Sequence, residues 1–526
     1  MTAMFPPPSK MLLLSIIVAV SISLGSGSAT AQTTSPTAAN ELPAEVTAVQ
    51  ALPRFKHASW GLLVIDSQSG AVLDDQNAGA MFIPGSTTKI FTTTAALNAY
   101  GPDYRFETPV YRTGSVSNGV LSGNLILVAS GDPTMGGRNT PEGTIDFRSI
   151  DHINANAIGD AQLTPENPLA GLNDLAAQIA RSGIRKITGN VIVDTHLYPT
   201  VPKDDYILSP IMINDNLIDL IITPSGIGRT ATVAWRPRSS AYVVKSEVKT
   251  VGANEPALIS STFSPPNSIV VQGQIPAGKS TVRTFQVTDP GSFARTLFID
   301  ALRRHNIAVS ASSGAANPNV KGSQKYLPSS RVAVLRSLPF SEVIKLVLKV
   351  SHNQIADTLI ELIALKNGKV GFEEGVACEL PFLKKAGVDD AGVSLGDGRG
   401  NDRGDVFTPQ SVATLLEYMT KQTDFEAFRR GLPLLGVDGT EFEAVASTSA
   451  VRGKASVKTG AVVVADLLHD RPIQLAASMA GYLTAQSGRR LIVALYINNI
   501  TLNGVEDVFA VDQDMGKVYE GLYDSY

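Results

Sequence analysis

The sequence predicts a mixed α/β (α+β) protein in which one helix-and-sheet domain is interrupted by a long strand-rich insertion. A strand–turn–strand pattern at 59–77 is followed by a helix that opens at 84–86. The middle of the chain has many short apolar runs broken by Gly, Pro and Asn, with two helical patterns among them. From Pro339 helical periodicity returns, and three strand patterns and a closing helix follow. Helices and strands alternate at both ends of the chain, while the stretch between them is rich in strands. This indicates one domain whose two parts are separated by an insertion.

Length and composition are those of a globular protein with more than one core. The chain has 526 residues, 44% of them hydrophobic and 17% charged, with a formal net charge of −4. This charge gives no reason to expect nucleic acid or an anionic membrane as a partner. The chain has a single cysteine, Cys378, so no intramolecular disulfide can form, and we interpret this thiol as a small core residue.

The N-terminus has the charged, apolar and small-residue order of a secretory signal peptide. Lys10 precedes an apolar stretch at 11–25, and small residues follow up to Ala31, after which we expect cleavage. The alternative is a membrane anchor, but the stretch is shorter than the roughly 20 residues that a spanning helix needs. We therefore expect a periplasmic or secreted protein with no transmembrane segment in the mature chain.

These patterns divide the chain into five predicted segments. They are a signal peptide at 1–31, a flexible lead-in at 32–50, the first part of the helix-and-sheet domain at 51–105, the strand-rich insertion at 106–325 and the second part of the domain at 326–526.

The helix after the first strands carries Ser86 and Lys89 three positions apart, which places both side chains on one face. A serine hydroxyl becomes a good nucleophile when a neighbouring base takes its proton, and burial or nearby positive charge makes lysine such a base. The alternative is a helix-capping Ser86 beside a surface lysine. The same spacing recurs at Ser246 and Lys249, but on a strand pattern, where residues three apart face opposite sides.

Two further motifs follow in order along the chain. Ser351-His352-Asn353 lies between two helical patterns, and Lys458-Thr459-Gly460 lies on a strand pattern. Ser122-Gly-Asn124, a second Ser-x-Asn, falls in a turn, and we interpret it as structural. With Ser86-x-x-Lys89, the ordered set resembles the penicillin-recognising serine D-alanyl-D-alanine carboxypeptidases and endopeptidases of peptidase family S13, the class C low-molecular-mass penicillin-binding proteins. A long separation of the first two motifs is typical of that class.

Short segments extend this resemblance along the chain: "GDPT" at 131–134, "VIVDT" at 191–195, "INDN" at 213–216, "GVDGT" at 436–440 and "GRRL…YINN" at 488–499. The resemblance implies a serine β-lactamase/transpeptidase-like catalytic domain, with an antiparallel sheet flanked by helices and interrupted by the insertion.

The resemblance also implies catalytic roles. Ser86 would attack the carbonyl between two D-alanines, with Lys89 as general base. Ser351 would relay the proton to the leaving amine, held by Asn353. Lys458 would bind the terminal carboxylate and keep Lys89 neutral.

A second group would bind substrate. Thr459 would contact the carboxylate, and Gly460 would let a substrate strand approach the backbone. Ala461 stands where the family usually has threonine; its backbone N–H would complete the oxyanion hole with that of Ser86, but a hydroxyl contact is lost.

The loop at 397–409 departs further from the family pattern. Arg399, Asn401 and Asp402 replace small or apolar residues, and Arg403 matches a position that contacts the diamino acid of the stem peptide in some relatives. Its spaced Asp, Asn and Gly residues suggest calcium, but the required terminal Glu is absent. The other histidines lack ligand spacing, so no metal or cofactor is predicted. His352 also suggests a Ser-His-acid triad, although it occupies the variable middle position of its motif.

We therefore predict a serine D-Ala-D-Ala carboxypeptidase that acts on peptidoglycan stem peptides and is acylated by β-lactams. Whether it also cleaves cross-links as an endopeptidase stays open. One alternative, motivated by Ala461 and the altered loop, is an inactive peptidoglycan-binding homologue. Another is a β-lactamase or esterase on the same fold, which the long insertion disfavours.

Overall fold

A computed structural model describes residues 42–159, 161–319 and 325–526. The predicted signal peptide and the start of the lead-in lie outside the described residues. The end of the predicted flexible lead-in is instead a helix (Ala44–Gln50), because Val46 and Val49 are buried in a core. Within them, no helix is both long and apolar enough to cross a membrane.

The chain first forms a short helix, a hairpin and the helix that carries Lys89. Four residues at 85–88 form a 3-10 turn that leads directly into this helix. The elements are α1 (Ala44–Gln50), β1 (Ser59–Asp66), β2 (Val72–Gln76) and α2 (Lys89–Tyr100).

The middle region runs from β3 to β18 and forms sheets of its own, so it extends beyond the predicted bound of 325, and we call residues 107–336 the insertion. Its largest sheets have the orders β18-β3-β6-β8 and β17-β7-β5-β4, and its helices are α3 and α4. In α3 the buried residues Leu172, Leu175, Ala176 and Ile179 recur at helical spacing, which explains why this stretch forms a helix against a core. The bounds are β3 (Glu107–Arg112), β4 (Ser115–Ser117), β5 (Val120–Ser122), β6 (Leu125–Val128), α3 (Ala170–Arg181), β7 (Lys186–Ile187), β8 (Val191–Asp194), β9 (Val201–Pro202), β10 (Ile207–Leu208), β11 (Leu217–Thr223), β12 (Thr232–Arg236), β13 (Val243–Val251), β14 (Leu258–Ser264), β15 (Ser268–Pro276), β16 (Thr281–Gln286), α4 (Pro290–Arg304), β17 (Ala308–Val309) and β18 (Arg331–Arg336).

The last part of the chain returns to helices and then supplies three long strands. The bounds are α5 (Phe340–Lys349), α6 (Asn353–Lys366), α7 (Phe372–Ala377), α8 (Leu380–Lys385), β19 (Val393–Ser394), β20 (Val406–Phe407), α9 (Pro409–Thr420), α10 (Phe425–Gly431), β21 (Ala455–Asp466), β22 (Arg471–Thr484), β23 (Arg490–Thr501) and α11 (Asp507–Ser525).

A five-stranded antiparallel sheet of order β2-β1-β23-β22-β21 joins the two ends of the chain. One apolar core, which includes α2, α5, α6 and α9, covers one face, and a second, with α1 and α11, covers the other. Because both faces are covered, β1 and β23 are almost continuously buried along their length, which explains their unbroken apolar sequence. The mixed α/β fold class predicted from the sequence is confirmed.

Candidate active site

Lys89 lies fully buried at the start of α2, next to Ser86 in the preceding turn. Its Nζ lies 2.8 Å from the Oγ of Ser86, 2.8 Å from the Oδ1 of Asn353 and 3.0 Å from the backbone oxygen of Arg399. Burial, and next the charge of Lys458, hold the pKa of Lys89 well below its usual value. The predicted pairing of Ser86 with a buried lysine is therefore present, and Lys89 is not a surface residue.

The hydrogen bonds around this amine fit either charge state, and its lowered pKa favours the neutral form. The amide oxygen of Asn353 and the carbonyl oxygen of Arg399 only accept hydrogen bonds, so they occupy the two N–H groups of a neutral amine. One lone pair then remains for the hydroxyl of Ser86. This arrangement lets Lys89 accept the proton of Ser86.

Ser351, His352 and Asn353 form the junction between α5 and α6. Ser351 has a φ of 58°, in the left-handed region, and Asn353 is the first residue of α6. The Nδ1 of His352 accepts a hydrogen bond of 3.3 Å from the backbone N–H of Ile355 and so caps this helix. That use of Nδ1 caps α6, and no hydrogen bond among the described residues joins His352 to a serine hydroxyl, as a Ser-His-acid triad would require.

Strand β21 brings the third motif beside the turn of Ser86. Lys458 is fully buried and donates a hydrogen bond of 2.7 Å from Nζ to the backbone oxygen of Thr459. Burial lowers the pKa of Lys458 to about 8, against the opposing effect of Glu441 and Asp512. Lys458 therefore carries its charge in neutral solution and loses it in mildly alkaline solution.

Gly460 is required by the close approach of β21 to the backbone around Ser86. A Cβ at Gly460 would lie 2.3 Å from the backbone oxygen of Pro84 and 2.6 Å from the backbone nitrogen of Ser86. A Cβ at Gly85, whose φ is 55°, would lie 2.9 Å from the backbone nitrogen of Ala461. The backbone nitrogens of Ser86 and Ala461 thus lie on segments that pack directly against each other.

The three motifs share one cavity. It has a volume of about 520 Å³, and its lining includes Ser86, Ser351, Asn353, Thr459, Gly460 and Ala461. Lys89 and Lys458 are fully buried behind these residues and are not among the lining residues described. Arg403 is exposed and is not among the lining residues described for this cavity, so its contact with substrate stays a prediction.

The loop at 397–409, which contains Arg399, lies next to Lys89. The Oδ1 of Asp397 accepts hydrogen bonds from the backbone N–H groups of Arg399, at 2.8 Å, and Gly400, at 2.6 Å. The guanidinium of Arg399 pairs with Asp204 and Asp205 of the insertion, at 3.3 and 2.8 Å. Arg399 therefore ties the loop to the insertion, while its backbone oxygen contacts Lys89.

The loop carboxylates hold the backbone of the loop and the guanidinium of Arg399. The Oδ2 of Asp397 lies 3.1 Å from the Nε of Arg399, and Asp405 accepts hydrogen bonds from the backbone N–H groups of Gly396 and Asp402.

The comparisons with known proteins identify the family of this chain. The model of the D-Ala-D-Ala carboxypeptidase 3 (S13) family matches residues 42–518. The chain belongs to this family. The predicted family and enzyme class, a serine-type D-Ala-D-Ala carboxypeptidase, are thereby confirmed.

Relatives of this S13 family member match over most of their length. It is 24% identical over 446 residues to a D-alanyl-D-alanine carboxypeptidase of an Actinomadura species, covering 80% of this chain and 76% of that protein. It is 24% identical over 496 residues to the D-alanyl-D-alanine carboxypeptidase DacB of Haemophilus influenzae, covering 90% of this chain and 91% of that protein. The crystal structure of penicillin binding protein 4 from Haemophilus influenzae matches with a TM-score of 0.67 and 21% identity, over 91% of this chain and 99% of that one. The same protein complexed with a β-lactam matches with a TM-score of 0.66, 23% identity and coverages of 91% and 99%. These structural matches confirm the fold.

Sequence reasoning missed two acidic residues beside Thr459 of this S13 protein. Glu441 is fully buried and accepts hydrogen bonds from the hydroxyls of Thr459 and Thr440, the latter at 2.8 Å. Asp512 lines the cavity, and burial together with the adjacent Glu441 raises the pKa of Asp512 well above its usual range. Glu441 directly follows the segment "GVDGT", which could have drawn attention to it, but no pattern in the sequence marks Asp512.

Proposed function

We propose that this protein cleaves the terminal D-alanine from peptidoglycan stem peptides through an acyl-enzyme on Ser86, in the periplasm or after secretion. Membership of the S13 family supports the reaction class, and the names of both curated relatives agree with it. The signal-peptide pattern at the N-terminus supports export. The shared cavity supports one site for the three motifs.

The position of Lys89 is the single observation that carries the proposal. Its amine is buried, its pKa is lowered, and its two N–H groups are engaged by Asn353 and Arg399. As the Oγ of Ser86 attacks the carbonyl carbon between the two D-alanines, Lys89 takes the hydroxyl proton. The step forms a C–O bond and places a negative charge on the carbonyl oxygen.

Backbone N–H groups and Lys458 would stabilise the substrate and this charge. The N–H groups of Ser86 and Ala461 lie on adjacent segments and would donate to the oxyanion, which alanine permits as well as threonine does. The ammonium of Lys458 and the hydroxyl of Thr459 would bind the terminal carboxylate. The positive charge of Lys458 also favours neutral Lys89.

Breakdown of the intermediate requires a proton on the leaving amine. Ser351 lines the cavity and would relay the proton from Lys89 to the nitrogen, so that the C–N bond breaks and D-alanine leaves. Water then attacks the ester carbon, with Lys89 again as base, and the shortened peptide is released. A β-lactam would acylate Ser86 in the same way, but its leaving group stays attached, which slows deacylation.

The test is release of D-alanine from a pentapeptide that ends in D-Ala-D-Ala. We expect activity in the wild type, loss of activity in Ser86→Ala, and full activity in Ser246→Ala, which removes the serine of the other Ser-x-x-Lys pair. Ser246 donates its hydroxyl to the backbone oxygen of Ala231, far along the chain from the motifs. Absence of release by a folded wild type, or undiminished release by Ser86→Ala, would exclude the proposal.

A further inference from the structure

A buried group of charged side chains in the insertion reaches the Ser351–Asn353 motif. We call it the insertion cluster, and its members are Arg138, Asp151, His152, Asp215, Asp219 and Arg236. All but Arg236 are at least nine-tenths buried. Charges buried to this extent are costly unless they are paired, so the cluster must be closely matched in charge and geometry.

Asp215 is the member of the insertion cluster that contacts the Ser351–Asn353 motif. Its Oδ2 accepts hydrogen bonds of 2.8 Å from Arg138 and 2.6 Å from His152. Its Oδ1 lies 3.3 Å from the Nε2 of His352. The carboxylate therefore contacts the insertion with one oxygen and the catalytic motif with the other.

The cluster keeps Asp215 ionised. The Nδ1 of His152 lies 2.6 Å from the Oδ1 of Asp219, so both nitrogens of this ring face carboxylates. Burial alone would lower the pKa of His152, but the facing carboxylates raise it to about 10. Three carboxylates thus meet two arginines and the ring of His152, whose Nε2 also lies 2.9 Å from the Nη2 of Arg138.

The backbone at Asp215 is held in an uncommon conformation. Asn214, Asp215 and Asn216 all have φ between 53° and 55°, in the left-handed region. The side chain of Asn214 donates to the backbone oxygen of Leu217 at 2.9 Å, and that of Asn216 to the backbone oxygen of Ile211 at 3.2 Å. Consecutive left-handed residues persist only where their surroundings enforce them, and here they fix where the Asp215 carboxylate lies.

His352 links this carboxylate to the reacting groups. Since its Nδ1 accepts the N–H of Ile355, its Nε2 carries the proton and faces Asp215. This Nε2 has no aligned hydrogen-bond acceptor among the described residues, so the contact is electrostatic. His352 lies between Ser351 and Asn353, and Asn353 contacts Lys89, so the orientation of the imidazole bears on both neighbours.

We propose that Asp215 is a positioning residue of the Ser351–Asn353 motif, acting through His352, and that the insertion sets the rate of acylation by this route. The inference rests on the proposed function, because acylation of Ser86 is its readout. Asp215 is not among the residues that line the cavity, so it acts on geometry and not on substrate binding.

The test compares acylation by a fluorescent penicillin in the full-length chain. In both Asp215→Asn and His352→Asn we expect the saturating acylation rate to fall about tenfold to a hundredfold, while the half-saturating concentration stays within about twofold. Asparagine at 352 can still cap α6, so this variant isolates the contact with Asp215. The saturating acylation rate of the double variant should be no lower than that of the slower single variant.

Asp194→Asn is the matched control. Asp194 is a buried carboxylate of the insertion that contacts His196 and Tyr326, and we expect its removal to leave the acylation rate within about twofold. If Asp215→Asn does not fold, the acylation rate of His352→Asn alone tests the inference. Acylation of His352→Asn within twofold of the wild type, or losses that multiply in the double variant, would overturn the inference. Absence of acylation in the wild type would instead overturn the proposed function.

Discussion

Asn353 accepts a hydrogen bond of 2.8 Å from Lys89, although 264 positions separate the two residues in the chain. The contact joins the first and second motifs beneath Ser86. It also uses one of the N–H groups of Lys89, which leaves the lone pair of the neutral amine available to the serine.

Asn353→Asp should raise the pKa of Lys89, because a carboxylate at this distance favours the ammonium form. The acid limb of the pH profile of acylation would then move to higher pH, and the rate at pH 7 would fall about tenfold or more. Stopped-flow acylation by a reporter β-lactam between pH 5 and 9 measures this shift. An acid limb that stays in place would show that Lys89 is not the titrating base.

Lys458→Arg should change the alkaline limb of the pH profile of kcat/KM. The pKa of Lys458 is about 8, so its positive charge is lost as pH rises through that value, and binding of a carboxylate weakens. Arginine remains charged throughout this range. We expect kcat/KM for D-alanine release to decline above about pH 8 in the wild type and to decline less in the variant. The same alkaline decline in both proteins would contradict the assignment of this limb to Lys458.

Gly460→Ala should slow acylation strongly, since its Cβ would collide with the backbone of Pro84 and Ser86. We expect a loss of about a hundredfold to a thousandfold, as for removal of an oxyanion-hole donor. Ala461→Thr is the matched control, because it restores the residue usual in the family and keeps the backbone N–H. Intact mass spectrometry after a timed exposure to penicillin measures both variants. Equal acylation of Gly460→Ala and the control would show that the close approach of β21 is not needed.

The insertion cluster should make stability depend on pH. The pKa of His152 is about 10 in the folded protein, above its value near 6.5 without such partners. Its contribution to the free energy of unfolding is therefore complete below about pH 6.5 and is lost as pH rises through about 10. His152→Asn should lower the free energy of unfolding by about 3–5 kcal/mol at pH 7.

Thermal denaturation at pH 7 and pH 10 measures how stability depends on pH in the wild type and in His152→Asn. The Tm of the wild type should fall by more than that of His152→Asn over this range. His196→Asn, at a partly exposed histidine of the insertion, should behave like the wild type. An equal fall in the wild type and His152→Asn would mean that His152 is not held protonated by its carboxylates.

Local patterns in the sequence predicted the parts of the site that local structure determines. The spacing of Ser86 and Lys89 predicted a shared helix face, and the strand pattern around Lys458 predicted β21, because period and burial are visible within a short window. Arg399 was recognised as a departure from the family pattern, but its pairing with Asp205 of the insertion was not foreseen.

Contacts between distant elements could not be predicted in this way. Glu441 and Asp512 meet in one cavity with Thr459 because a short turn packs against β21 and the last helix packs against β22. Asp215 and His352 meet because the insertion folds back onto α6. Single-residue side-chain chemistry gives no periodic signal, so these pairings follow only from the tertiary structure.

The most direct test of the account is the site at which penicillin attaches. After incubation with penicillin, digestion and mass spectrometry should find one adduct per chain, on the peptide that contains Ser86. Ser86→Ala should carry no adduct. An unmodified wild type, or an adduct that persists in Ser86→Ala, would contradict the central claim that Ser86, activated by Lys89, is the nucleophile.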